Sequence, residues 1–331
     1  MSTITVIGAG VAGLCVARAL RDRGADVVLI DRRTTPGPHA CSWWAGGMLA
    51  PFCEGESAEE PVVRLGGEAA SWWARHTDVL QRCGSLVVAS ARDRADLARF
   101  ARRTTTHRDV TQAEIAALEP DLDARFSRGL FFESEAHLDP RAALAQLRDG
   151  LIAEGVTLRQ EEARPEDHAV RGLTIDCRGF AARDTLSDLR GVKGEMVVLS
   201  CPEVDLRRPI RLLHPRLPLY IVPRGDGVFM LGATMVEGSA GRHVTARALL
   251  ELLTAAYALH PAFGEADVLE IGVDSRPAFA DNLPRIRREG SLIRVNGLFR
   301  HGFLLAPALA RMVAEMIFDG KTPEVQDEVA A

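Results

Sequence analysis

The chain opens on an apolar run, "TITVIGAG", that ends in glycine and passes into "VAGLCVARALRDRG", whose apolar residues recur at helical spacing. A second apolar run, "ADVVLIDRR", follows at once. Strand, glycine turn, helix and strand within about 30 residues make a βαβ unit, which demands a parallel sheet and a right-handed crossover. Beyond it, "GGEAASWWARHTDVLQRCG" predicts a helix and "SLVVAS" a strand. "RDRADLARFARR" and "TQAEIAALEP" predict two more helices, the second capped by Thr111. "DPRAALAQLRDGLIAEG" is amphipathic, with Pro140 in its first turn, where a missing N–H does no harm.

The pattern then changes. From "GEMVVLSC" to "GVFMLGAT" short β-rich runs alternate with turn residues, the mark of an antiparallel sheet. "ARALLELLTAAYALHP" returns to helix, "VLEIGVDSRPAF" and "LIRVNGLFR" read as strands, and a closing helix is expected near 305–318. An α/β fold follows. A Rossmann-type dinucleotide domain is expected from residues 1–80, 137–190 and 266–331. A substrate domain with a mostly antiparallel sheet and helices is expected from 81–136 and 191–265.

Composition narrows the function. At 331 residues, 47% hydrophobic and 26% charged, the chain suits a soluble two-domain protein. A net charge of −5 supplies no electrostatic reason for nucleic acid or an anionic membrane as partner. The most apolar late segment is interrupted by Arg311 and Glu315, which argues against a membrane span. No basic stretch precedes the first apolar run, so no signal peptide is expected. Six cysteines without a CxxC pair fit reduced thiols and a cytoplasmic setting. The nine histidines show no metal-ligand spacing, and no metal is expected.

Gly8-Ala9-Gly10-Val11-Ala12-Gly13 is a dinucleotide fingerprint in its required context, after a strand and opening a helix. Gly8 allows the tight turn, Gly10 lets a pyrophosphate near the backbone, and Gly13 allows close helix–sheet packing. Asp31, at the end of the second strand, stands where a carboxylate accepts from ribose hydroxyls. The fingerprint does not choose between NAD and FAD. The irregular stretch "RRTTPGPHACSWWAGGMLAPFCE" leans towards an extended cofactor, along which its glycines would let the backbone run.

Nine segments together carry a resemblance: "VIGAGVAG", "SWWAGGMLAP", "LDPRAAL", "TIDCRGFAAR", "GVKGEMVVL", "YIVPRGDG", "LGATMVEG", "DSRPAFADNLP" and "GLFRHGFLLAPALA". In this order, over nearly the whole length, they resemble the D-amino acid oxidase superfamily of FAD-dependent oxidoreductases, most closely its glycine oxidases of thiamin biosynthesis. The resemblance implies noncovalent FAD, since covalent relatives use a cysteine after the pocket arginine and none lies beyond Cys201. It places Gly8, Gly10, Val11, Ala12, Gly13, Asp31 and Arg32 on the nucleotide. Ser42, Gly46, Gly47, Met48, Ala163 and Gly179 run along the cofactor. Arg300, His301, Gly302, Phe303 and Leu304 form the flavin turn.

For substrate, Arg276 matches the carboxylate-binding arginine, Tyr220 the tyrosine that supports the carboxylate, and Arg300, Met48 and Met235 pocket walls. A planar guanidinium is the natural carboxylate partner because its fork accepts both oxygens at once. His301 is expected to have a positional role rather than that of a base. Trp43 and Trp44 either pack between the domains or narrow the mouth of the site. Glu54, Glu56, Glu59 and Glu60 are expected on a solvent-exposed loop, with a lid as the alternative. The implied substrates are glycine, sarcosine or small D-amino acids, with O2 as oxidant; the alternative is a dehydrogenase using another acceptor. A homo-oligomer is the state the family suggests.

Overall fold

The computed structural model describes residues 3–214, 219–238 and 243–327. The opening strand, Ile4–Ile7, lies inside a six-stranded sheet in the order Arg285–Glu289, Leu292–Asn296, Thr174–Asp176, Ile4–Ile7, Val27–Asp31, Thr157–Gln160. All neighbours are parallel except the first pair. Parallel strands need helical crossovers, and the helices Val11–Asp22 and Pro140–Ala153 supply them. Each buries an apolar stripe, with Leu14, Val16 and Leu20 on the first and Leu144, Leu147 and Leu151 on the second. Asp139 caps the second helix by accepting from the Arg141 and Ala142 amides, and Pro140 opens it.

The second sheet runs Val236–Glu237, Arg190–Ser200, Val228–Gly232, Leu219–Gly225, Ile210–Leu213, Ser85–Ala89, Arg128–Phe132, Arg108–Thr111. Its pairs are antiparallel but for one, Ile210–Leu213 beside Ser85–Ala89. A small third sheet joins Met48–Leu49, Ala136–Leu138 and Leu80–Gln81. Separate apolar clusters underlie the two large sheets.

Three expectations need correction. The strand Asp267–Ala278, grouped by the sequence with the dinucleotide domain, pairs with Arg190–Ser200 along its length in the second sheet. Pairing along twelve residues, with one register shift at Leu269, outweighs the proximity in sequence to the closing βα segment. The helix expected through "GGEAASWWARHTDVLQRCG" is confined to Ala69–His76, and the same stretch ends in a short strand, Leu80–Gln81. Thr77 stops the helix by turning extended, its amide and hydroxyl both donating to the Trp73 carbonyl. The closing helix, Gly302–Phe318, starts three residues earlier than expected. No described helix is long and apolar enough to cross a membrane.

Candidate active site

A cavity of about 790 Å³ is lined by residues of both large sheets. At one end stands the glycine turn. Gly8 has a φ of 102°, and a Cβ there would lie 2.5 Å from the Cys177 carbonyl oxygen. A Cβ on Gly13 would lie 1.7 Å from the Gly8 carbonyl oxygen, so the helix sits hard against the turn. Gly10, Val11 and Ala12 line the cavity, whereas Gly13 packs beneath it and does not. The first amides of Val11–Asp22 have no partner within their own helix, which makes this end a site for anions. One of them, Val11 N–H, donates to Ser42 Oγ at 3.0 Å. Asp31 accepts from the Ala9 and Arg33 amides at 2.7 and 2.9 Å, and lines the cavity with Arg32, Ala163 and Gly179.

The far end is built on the second sheet. Arg276, opposite Val192, donates from Nη1 to the Thr234 carbonyl oxygen at 3.1 Å. It makes no ion pair with a carboxylate among the described residues. Its guanidinium occupies a slot that exists because residue 194 is glycine: a Cβ there would lie 2.2 Å from Arg276 Nη2. Thr234 is itself held, its hydroxyl donating to Glu195 Oε2 and accepting from the Glu195 amide, at 2.8 and 2.9 Å. Lys193 neutralises Glu195 at 2.9 Å.

Tyr220 stands opposite Gly232, where a Cβ would lie 2.5 Å from its hydroxyl. Gly46 abuts the same ring. Burial pushes the Tyr220 phenol up, keeping it a hydrogen-bond donor at neutral pH. Met235 lines the cavity from a largely exposed position, so it belongs to the rim.

Beside Tyr220, at the same end, lies a charged cluster unexpected from the sequence. Glu54, expected on an exposed loop, closes the short helix Pro51–Glu54 and is only 8% exposed. Its carboxylate pairs with Arg211 and Arg300, each at 2.6 Å, and lies 3.5 Å from His301 Nδ1. Burial pushes the Glu54 carboxyl up, but the charges of Arg300 and Arg211 outweigh it and hold the group well below the usual carboxylate range. Burial takes His301 down to about 4 against the opposing pull of Glu54, so the imidazole is neutral at pH 7. Glu59 and Glu60 are exposed as expected, and Glu56 pairs with Arg103 at 3.2 Å.

The description "FAD dependent oxidoreductase" (DAO) matches residues 3–316. The chain belongs to the DAO family of FAD-dependent oxidoreductases. It is 54% identical to a Rhizobium etli protein named "Putative thiamine biosynthesis oxidoreductase ThiO", over 95% of this chain and 96% of that one. It is 26% identical to the glycine oxidase of Pseudomonas aeruginosa, over 97% and 95% of the two chains. The glycine oxidase of Geobacillus kaustophilus superposes with a TM-score of 0.80 at 21% identity, covering 98% and 97%.

The cavity of this DAO chain fits FAD on its own features. A helix N-terminus faces it, Asp31 stands at the end of the second strand, and no Cβ at Gly10 blocks the approach. Ser42, Gly46, Gly47 and Met48 line the same cavity, as do Arg300, His301, Gly302, Phe303 and Leu304. Gly47 has a φ of 75°, and a Cβ there would lie 2.1 Å from the Leu138 carbonyl oxygen. Arg224 grips this loop, donating to the carbonyls of Leu138, Ala45 and Gly46 at 3.0, 3.2 and 2.9 Å.

The two indoles divide their roles. Trp43 lies under the Arg141 guanidinium, 4.3 Å from ring centroid to Cζ, and Arg141 in turn pairs with Glu270 at 2.7 Å. Trp44 covers Gly272, donates to the Pro38 carbonyl at 3.2 Å and lines the cavity; Trp43 does not. Cys41 and Cys177 also line it, and burial pushes Cys41 up to about 12, so both are thiols rather than nucleophiles. Among the described residues no group of three or more His, Cys, Asp or Glu could hold a metal ion.

Proposed function

We propose that the protein oxidises glycine to its imine with FAD and dioxygen, giving hydrogen peroxide, and that the imine serves thiamin thiazole synthesis. The observation that carries the reading is Arg276: a guanidinium in the cavity wall, in no ion pair with a carboxylate among the described residues, beside the Tyr220 phenol. Such a pair is made for a small carboxylate. The names of the Rhizobium and Pseudomonas relatives support the substrate and the biosynthetic role.

FAD, when bound, supplies the hydride acceptor and hands the electrons on to oxygen. Gly8, Gly10, Val11, Ala12, Asp31 and Arg32 would hold its nucleotide half. Ser42, Gly46, Gly47, Met48, Ala163, Gly179 and the turn Arg300–Leu304 would hold the rest, without a covalent bond. Arg276 and Tyr220 fix the glycine carboxylate, and so fix the direction of the Cα–H bond. As that bond breaks with its electron pair, the amine lone pair forms the C=N bond. The reacting amine must be neutral, and the net positive charge of Arg276, Arg211 and Arg300 over Glu54 favours loss of its proton. His301, neutral and buried, positions Glu54 and the start of the closing helix rather than acting as a base.

The test is the visible spectrum of the purified protein under nitrogen. Flavin bands that bleach on adding glycine and return with air, with peroxide formed, are expected. Persistence of the bands with glycine would overturn the substrate. A Gly194→Ala variant is expected to retain FAD but to lose about 100-fold in kcat/KM for glycine, since its Cβ must displace the Arg276 guanidinium by an ångström or so.

A further inference from the structure

Three guanidiniums, of Arg211, Arg276 and Arg300, line the cavity, and two of them share a single carboxylate. Arg276 is left for the substrate. Arg211 and Arg300 converge on Glu54, one on each oxygen, each at 2.6 Å. Two cations sharing an anion in a cavity wall have the chemistry of a second carboxylate subsite whose ligand is part of the chain. The placement of Glu54 is built rather than incidental. Pro51 opens its single-turn helix, and the Cys53 amide donates to the buried Glu135 carboxyl at 2.7 Å. Arg300 also donates to Ser57 Oγ at 2.8 Å, which orients its fork towards Glu54.

We propose that Glu54 is a specificity-determining residue: a tethered anion that fills a second carboxylate subsite, so that the enzyme accepts amines with one carboxylate and rejects dicarboxylic amines such as iminodiacetate. The inference rests on Arg276 as the anchor of the first carboxylate. A second carboxylate entering the site finds both other guanidiniums engaged by Glu54, whose charge cancels much of their attraction for another anion. Glu54→Gln keeps the shape and removes the charge. Arg211 and Arg300 then share only an amide oxygen, and a dicarboxylate can supply what they lack.

Malonate and malonamate have the same shape and differ by one charge, so they isolate this effect in the FAD-loaded enzyme. Binding is read from the perturbation of the flavin spectrum, without turnover. Wild-type enzyme is expected to bind malonate no tighter than malonamate. In E54Q malonate is expected to bind about tenfold tighter or more than malonamate, and to raise the thermal midpoint where malonamate does not. E54D, which keeps the charge, is expected to discriminate as the wild type does. The ratio of kcat/KM for iminodiacetate to that for glycine is expected to rise about tenfold or more in E54Q.

Wild-type preference for malonate of that size overturns the proposal, as does an E54Q enzyme with no gain for malonate. Should E54Q fold poorly, the wild-type comparison and recovery of its melting midpoint by malonate still decide. Failure of glycine to bleach the flavin would count against the substrate alone, because the malonate pair needs no reaction.

Discussion

Replacing Arg276 with alanine is expected to lower kcat/KM for glycine by about a thousandfold while the bound flavin keeps its spectrum. The magnitude follows from what the side chain does. A charge-assisted bidentate contact to a carboxylate in a partly desolvated wall is worth roughly 2–5 kcal/mol when one partner is removed, and each 1.4 kcal/mol is about tenfold in rate or affinity. Glycine has little else to hold it. With two carbons and one amine, it offers no apolar surface from which binding energy could compensate.

Arg276→Lys separates charge from geometry. A lysine keeps the cation but not the fork, and its ammonium would not be directed by the Thr234 carbonyl or accommodated by the Gly194 slot in the same way. Lysine is therefore expected to recover only a small part of the loss, chiefly in KM. Full activity in the alanine variant, measured as peroxide formed per flavin, would remove the carboxylate anchor from the wall on which it is proposed here.

How far the sequence reached depends on the range over which each feature is encoded. The glycine fingerprint and Asp31 lie within a single βαβ unit, and local spacing is enough to read them. Arg276, Tyr220 and Arg300 lie far apart, but each sits in a segment whose resemblance to a family is specific, and the fold gathers all three around one cavity. Glu54 was misread because its partners, Arg211 and Arg300, are remote in sequence and their convergence leaves no periodic trace. A run of four acids within seven residues looks like a solvated face. The one local hint was Pro51, which opens a helical turn and so sets Glu54 apart from the acids behind it.

Arg211 carried no hint. It occupies a strand position and pairs with a carboxylate from another element. The supporting glycines were equally silent: Gly194 and Gly232 matter for what they leave empty, and that emptiness is defined only by the arginine and tyrosine that fill it. The strand Asp267–Ala278 was misassigned for a related reason. Its pairing partner lies nearly 80 residues earlier, and a β pattern reveals a strand without naming its neighbour.

The second and third glycines of the fingerprint should fail in different ways, which makes them a test of the cofactor site independent of turnover. A Cβ at Gly10 meets only Ser42 Oγ, at 3.3 Å, and the residue has an ordinary negative φ. Gly10→Ala should therefore fold. Its methyl stands on the cavity wall at the helix N-terminus, where the FAD pyrophosphate would approach the amides. Overfilling of a close contact costs about 1–3 kcal/mol, so FAD should bind up to about a hundredfold more weakly. The protein is expected to purify pale, regain its yellow colour only with excess FAD, and unfold as an apoprotein at the wild-type apoprotein's temperature.

Gly13→Ala meets a different obstacle. Its Cβ would lie 1.7 Å from the Gly8 carbonyl oxygen, an overlap relieved only by driving the helix off the turn. Loss of the fold, with no recovery of FAD at any concentration, is the expected result, read from the thermal midpoint and the flavin absorbance together. If Gly10→Ala held FAD as tightly as the wild type, the pyrophosphate would have to lie elsewhere, and the assignment of this end of the cavity would fall with it.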